Sequence, residues 1–189
     1  MESQEIEMIP RTIHYCWFGG KPLPRDAEKY VLSWKKYLPD YEIKRWDESN
    51  FDVNSIPYIK EAYAAGKYAF VSDYARFWIL YHYGGLYFDT DVEVIRSLDD
   101  IIQEGQFLGV ERQNEEHITV APGLCIGAEK HNELFGTLIH QYEGFHFLEP
   151  DGSCCLKNVV EITTELLLKH GLKNTDEIQD CCGFKIYPK

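Results

Sequence analysis

The chain has no apolar run approaching the roughly 20 residues that a membrane-spanning helix needs, so no such helix is expected. Positive charge is scarce: 19 Lys and Arg stand against 31 Asp and Glu, a formal net charge of −12. A nucleic-acid partner would call for a basic stripe to neutralise phosphates, and none is expected here. A small nucleotide ligand stays admissible, since a metal can hold it. The opening MESQEIEMIP has neither the basic nor the apolar region of a secretion signal. There is no C-x-x-C spacing among the six cysteines, which are Cys16, Cys125 and the vicinal pairs Cys154-Cys155 and Cys181-Cys182. Vicinal cysteines are poor disulfide partners for each other. Zinc shared by the two pairs is one reading; reduced thiols in a cytoplasmic protein is the favoured one. Repeats, low-complexity tracts and Pro/Gly/Ser linkers are also missing, so residues 1–189 read as a single domain.

What is present is apolar and aromatic. Hydrophobic residues make up 44% and aromatics 14% of the chain, which excludes a disordered polymer. Ile9 to Phe18 reads as a strand that breaks at Gly19-Gly20. Pro24 opens a helix whose face carries Ala27, Tyr30, Val31, Trp34, Tyr37 and Leu38. Tyr41 to Trp46 is a second strand, Pro57 to Ala65 a helix, and Ala69 to Tyr83 a helix apolar enough to be buried on most sides. Leu86 to Phe88 has strand character and leads through Asp89-Thr90-Asp91 into a further strand, Val92 to Ile95. Phe107 to Val110, Thr119 to Ala121, Leu124 to Ile126 and Phe184 to Tyr187 complete the strands. Asn132 to Tyr142 and Asn158 to Lys169 complete the helices. Alternation of this kind predicts an α/β sandwich around a mainly parallel sheet, with ligands at the carboxyl ends of its strands.

Two groups of residues point to chemistry. In a strand, Asp89 and Asp91 would face the same side and could share one hard cation such as Mn²⁺ or Mg²⁺, completed by substrate phosphates. A solvated turn would look the same. Asp73 and Arg76, three apart on the apolar helix, share a face. They form either an internal ion pair or a site in which the guanidinium fork meets a phosphate and Asp73 accepts sugar hydroxyls. His117, His131, His140, His146 and His170 are scattered and read as surface or core histidines.

The stretch Ser72-Asp73-x-x-Arg76, followed by Gly84-Gly85-x-Tyr87-x-Asp89-x-Asp91, resembles the signature of glycosyltransferases with the DXD sugar-binding region. That family includes capsular-polysaccharide transferases, the yeast initiating mannosyltransferase and, more distantly, the glucosylating clostridial toxins. Ile9-Pro10-Arg11-x-Ile13-His14-x-x-Trp17-Phe18-Gly19-Gly20 and Trp46-Asp47 are similar to it as well, with looser likeness through Gly123 to Gly127 and Ile186-Tyr187-Pro188.

The resemblance implies a glycosyltransferase A-type, Rossmann-like fold and metal-dependent, retaining transfer of a hexose from a UDP- or GDP-sugar. The acceptor would be a glycan or lipid-linked oligosaccharide. It implies donor contacts from Trp17, Phe18, Gly19, Trp46, Asp73, Arg76, Tyr87 and Asp89. Asp91 would ligate the metal, with Asp89 close to it, and Asp73, Arg76, Asp89 and Asp91 would form the reacting centre. No catalytic base is nominated, since the departing phosphate can take the acceptor's proton. The enzyme is expected in the cytoplasm, with peripheral association at the inner membrane face as the variant a lipid-linked acceptor would bring. Family members usually continue past a motif like Ile186-Tyr187-Pro188 into a segment bearing His and Trp. The chain is expected to lack that segment, and the alternative function is then sugar-nucleotide binding without transfer. A metal-dependent phosphohydrolase is the remaining class, disfavoured because no further carboxylate or His cluster accompanies Asp89 and Asp91.

Overall fold

Alternation along the first strand sends Ile13 and Tyr15 to one side of a sheet and His14 and Cys16 to the other. A computed structural model describing residues 8–114 and 116–189 builds this strand as β1 (Thr12–Cys16), all but its first residue buried. Residues 1–7, most of the stretch read as lacking a secretion signal, lie outside the described part. There follow α1 (Arg25–Tyr37), β2 (Glu42–Trp46), α2 (Pro57–Ala64) and α3 (Tyr68–Tyr83). Next come β3 (Gly85–Tyr87), α4 (Asp99–Gln103), β4 (Phe107–Gln113), β5 (Ile118–Val120) and β6 (Ile126–Ala128). The chain ends with α5 (Glu133–Glu143), α6 (Val159–Lys169), β7 (Gln179–Cys181) and β8 (Phe184–Tyr187). Polar residues start the last two helices. The Asn132 side chain accepts from Leu134 N–H, and Asn158 forms a reciprocal capping box with Glu161.

The eight strands form one sheet in the order β2-β1-β3-β6-β4-β8-β7, with β5 paired to β4. β1 is parallel to β2 and β3, and β4 is parallel to β8. β6 lies antiparallel between β3 and β4, so β2, β1, β3, β4 and β8 all run one way. The expected α/β sandwich therefore holds, with β5, β6 and β7 running the other way and making the sheet mixed. Helices cover both faces. Ile13, Tyr15, Leu86 and Phe88 pack with Trp34 of α1 and with Leu38 at its C-cap, while Cys16, Tyr87 and Leu108 pack with α2, α3, α5 and α6. Among the described residues no helix is long and apolar enough to cross a membrane.

Two expectations change. Val92 to Ile95 is not a strand, because its backbone groups are taken elsewhere. Val92 N–H turns back to the Asp89 carbonyl at 3.2 Å, the Trp34 indole N–H donates to the Val92 carbonyl at 2.8 Å, and Ser33 Oγ accepts Val94 N–H at 2.9 Å. Consequently Asp89-Thr90-Asp91 sits in the turn after β3, and strand alternation is not what relates its two carboxylates. The short elements α4 and β7 carry too few apolar residues to show periodicity.

His14 fixes the entrance to β3. Its ring is 1% exposed; Nε2 donates to the Gly84 carbonyl at 2.9 Å, leaving Nδ1 to accept the Trp46 indole N–H at 3.1 Å. This pairing requires the neutral ring, and burial pushes the His14 pKa down to about 4. At Gly85 (φ +105°) a Cβ would lie 2.5 Å from the Thr12 carbonyl oxygen, so β3 can approach β1 this closely only with glycine there.

Candidate active site

Because β1 and β3 are parallel neighbours, the loop after Cys16 and the turn after Tyr87 leave the same edge of the sheet side by side. Carboxyl ends of parallel strands are where open α/β sheets bind ligands. Helix α3 crosses behind that edge and presents Asp73 and Arg76, one turn apart, to the same place.

Arg76 is the centre of the arrangement, its side chain only 3% exposed. Nη2 donates to Asp73 Oδ1 at 2.8 Å and Nη1 to Asp89 Oδ2 at 3.3 Å. Nε donates to the Ser72 carbonyl at 3.3 Å, and the guanidinium carbon lies 4.9 Å from the centre of the Tyr87 ring. The Tyr87 hydroxyl donates to the other Asp89 oxygen at 3.1 Å. Asp89 N–H in turn donates to the Gly123 carbonyl at 2.8 Å. The pair read as either an internal ion pair or a ligand site is thus an ion pair that also lines a cavity.

Electrostatics follow from burial. Burial opposes the charge on Arg76, but the carboxylates of Asp89 and Asp73 outweigh it and hold the guanidinium charged. Burial also pushes the Asp73 carboxyl up to about 6; the attraction of Arg76 pulls the other way, and Asp89 adds repulsion. Burial prevails at Asp73 because one guanidinium is shared between two carboxylates. Burial raises the Tyr87 hydroxyl far above its ordinary range, so it stays a donor to Asp89. Asp91 borders the same two cavities, so three carboxylates and one guanidinium line them together, and when ionised their sum is negative. That is a setting for a cation.

The cluster stands between two cavities. One, of about 480 Å³, is lined on its far side by Trp17, Phe18, Lys21 and Tyr68; the other, of about 520 Å³, by Val110, Glu111, Gly123 and Val160. Asp73, Arg76, Asp89 and Asp91 line both. Volumes of this size suit a small-molecule ligand, such sites usually falling at roughly 300–1,000 Å³. Asp91 is exposed, so its carboxylate is accessible to a ligand.

The other residues singled out from sequence fall into two sets. Trp17 and Phe18 line the first cavity. Gly19 backs it: its N–H donates to Glu48, and a Cβ there would meet the Tyr68 ring. Trp46 lies apart, 2% exposed, packed on Trp78 and Tyr83 and bonded to His14. It supports β1 from beneath and is absent from the lining of either cavity. Tyr87 is likewise buried and reaches the site through Asp89. Lys21, Tyr68 and Gly123 line the cavities without having been singled out as site residues: Lys21 and Gly123 lie in or beside the motif stretches, whereas Tyr68 meets the site only through folding.

Residues 24–108 match the family described as "Glycosyltransferase sugar-binding region containing DXD motif". The inositol phosphoceramide mannosyltransferase 3 of Schizosaccharomyces pombe is 36% identical over 107 residues, 53% of this chain and 29% of that protein. The initiation-specific alpha-1,6-mannosyltransferase of Candida albicans is 26% identical over 135 residues, 66% of this chain and 33% of that one. The chain thus spans about a third of the length of these curated relatives. In structure it resembles the PaToxG glycosyltransferase, with a TM-score of 0.62, 20% identity, and coverage of 86% of this chain and 70% of that chain. The resemblance drawn from the motifs and the fold class expected from it both hold.

Proposed function

On the premise that residues 24–108 form a glycosyltransferase sugar-binding region, we propose that the chain transfers a hexose from a UDP- or GDP-sugar to a glycan or lipid-linked acceptor, with retention. The observation that carries this reading is the Asp73–Arg76–Asp89–Asp91 cluster at the carboxyl ends of β1 and β3, open to a ligand-sized cavity. Trp17 and Phe18 offer apolar surface to the nucleoside, and Lys21 offers a positive charge to the diphosphate. Asp73 accepts hydroxyls of the donor sugar. Arg76 holds Asp73 and Asp89 in place and lends its charge to the leaving group.

Asp89 and Asp91 would hold the cation. Both are hard oxygen donors bordering the two cavities, and among the described residues no group of three or more His, Cys, Asp or Glu side chains could hold a metal by itself. Two carboxylates fit an ion that takes its remaining ligands from phosphate and water. When bound, the cation neutralises the diphosphate as it departs. Asp73 and Asp89 are both engaged by Arg76, which argues against either attacking the anomeric carbon. The bond from that carbon to phosphate oxygen breaks, the bond to the acceptor oxygen forms, and the acceptor's proton passes to the departing phosphate. A reducing, cytoplasmic compartment, expected from the vicinal spacing of the cysteines, belongs to the same reading.

Asp91→Asn tests this reading. Asp91 is exposed, so the thermal midpoint of the unliganded protein should not change. Calorimetry with Mn²⁺ and UDP-glucose or GDP-mannose is expected to show binding by the wild type, lost in the variant by a factor of about 100 or more. A wild-type chain that bound no nucleotide sugar with Mn²⁺ would end the proposal. Binding without transfer or donor hydrolysis would reduce it to sugar-nucleotide recognition.

The protonation of Asp73 gives a second expectation. As a carboxylate it accepts hydroxyl donors and pairs with Arg76; protonated, it loses the charge that does both. Its carboxyl is pushed up to about 6, so donor affinity should fall as pH drops through that value and level off above it. Asp73→Asn should flatten this profile. An unchanged acid limb in the variant would assign the titration to another group.

A further inference from the structure

The loop Trp17 to Lys21 supplies one wall of the donor cavity and is only five residues long; its first residue alone is tied to the sheet, Trp17 N–H donating to the Trp46 carbonyl of β2 at 2.8 Å. Two interactions hold its middle. Gly19 N–H donates to Glu48 Oε1 in the turn after β2, and the Tyr63 hydroxyl of α2 also bonds to Glu48. On the opposite side Gly19 lies flat on Tyr68: with φ at +94°, a Cβ would come within 2.3 Å of that ring. Tyr68 lines the cavity and packs against Tyr63, their ring centres 5.4 Å apart. Within the loop the Trp17 indole N–H donates to the Lys21 carbonyl at 2.8 Å, tying its two ends together.

Burial acts to raise the Glu48 carboxyl, but its bonds from Gly19 N–H and Tyr63 leave it net lowered, and it stays an ionised acceptor. Glu48 is not among the residues lining the cavity. A negative charge near a site for a diphosphate works against binding unless its hydrogen bonds to the loop return more than the repulsion removes.

We propose that Glu48 is a positioning residue for the donor: its carboxylate latches Gly19 and thereby sets Trp17, Phe18 and Lys21 at the donor cavity. This rests on the glycosyltransferase reading above for what the cavity binds. The latch itself rests on geometry alone, so the two can fail separately.

The test compares Glu48→Ala and Glu48→Gln with the wild type. Amide hydrogen exchange reads the latch without any ligand. Residues 17–21 should exchange faster in Glu48→Ala, with β1 and α3 unchanged. Affinity for UDP-glucose and GDP-mannose with Mn²⁺, measured by calorimetry, should weaken roughly tenfold in Glu48→Ala, the range of one charge-assisted hydrogen bond. Turnover at saturating donor should stay within about twofold, since the reacting centre is untouched. Glu48→Gln keeps an oxygen for Gly19 N–H and should recover most of the affinity. Unchanged exchange over residues 17–21 in Glu48→Ala would overturn the latch. Faster exchange with unchanged donor affinity would overturn its role in donor binding. A wild type that binds neither sugar nucleotide overturns the glycosyltransferase reading, and the donor role with it.

Discussion

Arg76→Ala is expected to lower folding stability by about 3–5 kcal/mol and to abolish transfer. The magnitude comes from what the guanidinium leaves behind. Asp73 is 7% exposed and loses the guanidinium bonded to it; Asp89, whose side chain is 35% exposed, can turn to water. An isolated buried carboxylate would cost far more than the figure given, but Asp73 escapes by taking a proton. Its carboxyl already stands raised to about 6, and without Arg76 it would rise further. At neutral pH that shift adds at most about 1.4 kcal/mol before protonation relieves it, and the remainder comes from the hydrogen bonds and buried side-chain volume the guanidinium vacates. Stability should therefore fall most at neutral and alkaline pH and recover on acidification. The sign follows from a folded-state pKa above the ordinary carboxylate value of about 3.9: the folded state binds the extra proton, so it loses ground as pH rises.

Arg76→Lys separates charge from geometry. An ammonium keeps the positive charge but cannot place two donors on Asp73 and Asp89 while lying over the Tyr87 ring. The fold should survive close to wild type while turnover drops by roughly 100-fold. Urea unfolding from about pH 5 to 8 and donor hydrolysis assays read the two effects independently. Turnover of Arg76→Lys within tenfold of wild type would mean that the fork is dispensable and only the charge acts.

The contrast between these residues and the rest of the site shows what a sequence of this kind makes legible. Asp73 and Arg76 announce themselves because charges inside an otherwise apolar helix need a reason, and spacing of three places them on one face. Asp89 and Asp91 follow a short apolar strand, which marks them as a strand-end pair. Each of these signals is local. The expectation of a strand at Val92 to Ile95 failed because Trp34 and Ser33, about 60 residues earlier, take up that segment's backbone groups. Trp46 read as a donor contact because it travels with the motif, and only the fold shows its indole bonded to His14 beneath the sheet. Glycine is the least legible residue of all, since its function is the absence of a side chain next to something far away in the chain.

Gly123→Ala is accordingly the substitution whose effect sequence would least suggest. Gly123 lies in the turn before β6, at a backbone conformation without positive φ, where alanine is tolerated. On chain entropy alone the change should stabilise the protein by about 0.4–1 kcal/mol. Yet a Cβ there would stand 1.9 Å from Asp89 Oδ2 and 3.1 Å from Arg76 Nη1. The backbone cannot retreat freely, because the Gly123 carbonyl accepts Asp89 N–H at 2.8 Å. The carboxylate must rotate away, breaking its bonds to Arg76 and Tyr87 and leaving the position from which it would meet a cation with Asp91. A displacement of about 1 Å at a reacting centre can cost on the order of 100-fold in rate. The expected result is therefore a protein that still folds, its thermal midpoint lowered by the loss of those bonds, with Mn²⁺-dependent donor binding and turnover reduced by about that factor. Gly109→Ala is the control, since its added methyl would meet only Leu124 at 3.9 Å. If Gly123→Ala melted early and kept its donor affinity in the folded fraction, the cost would lie in packing, and the placement of Asp89 would not depend on the missing side chain.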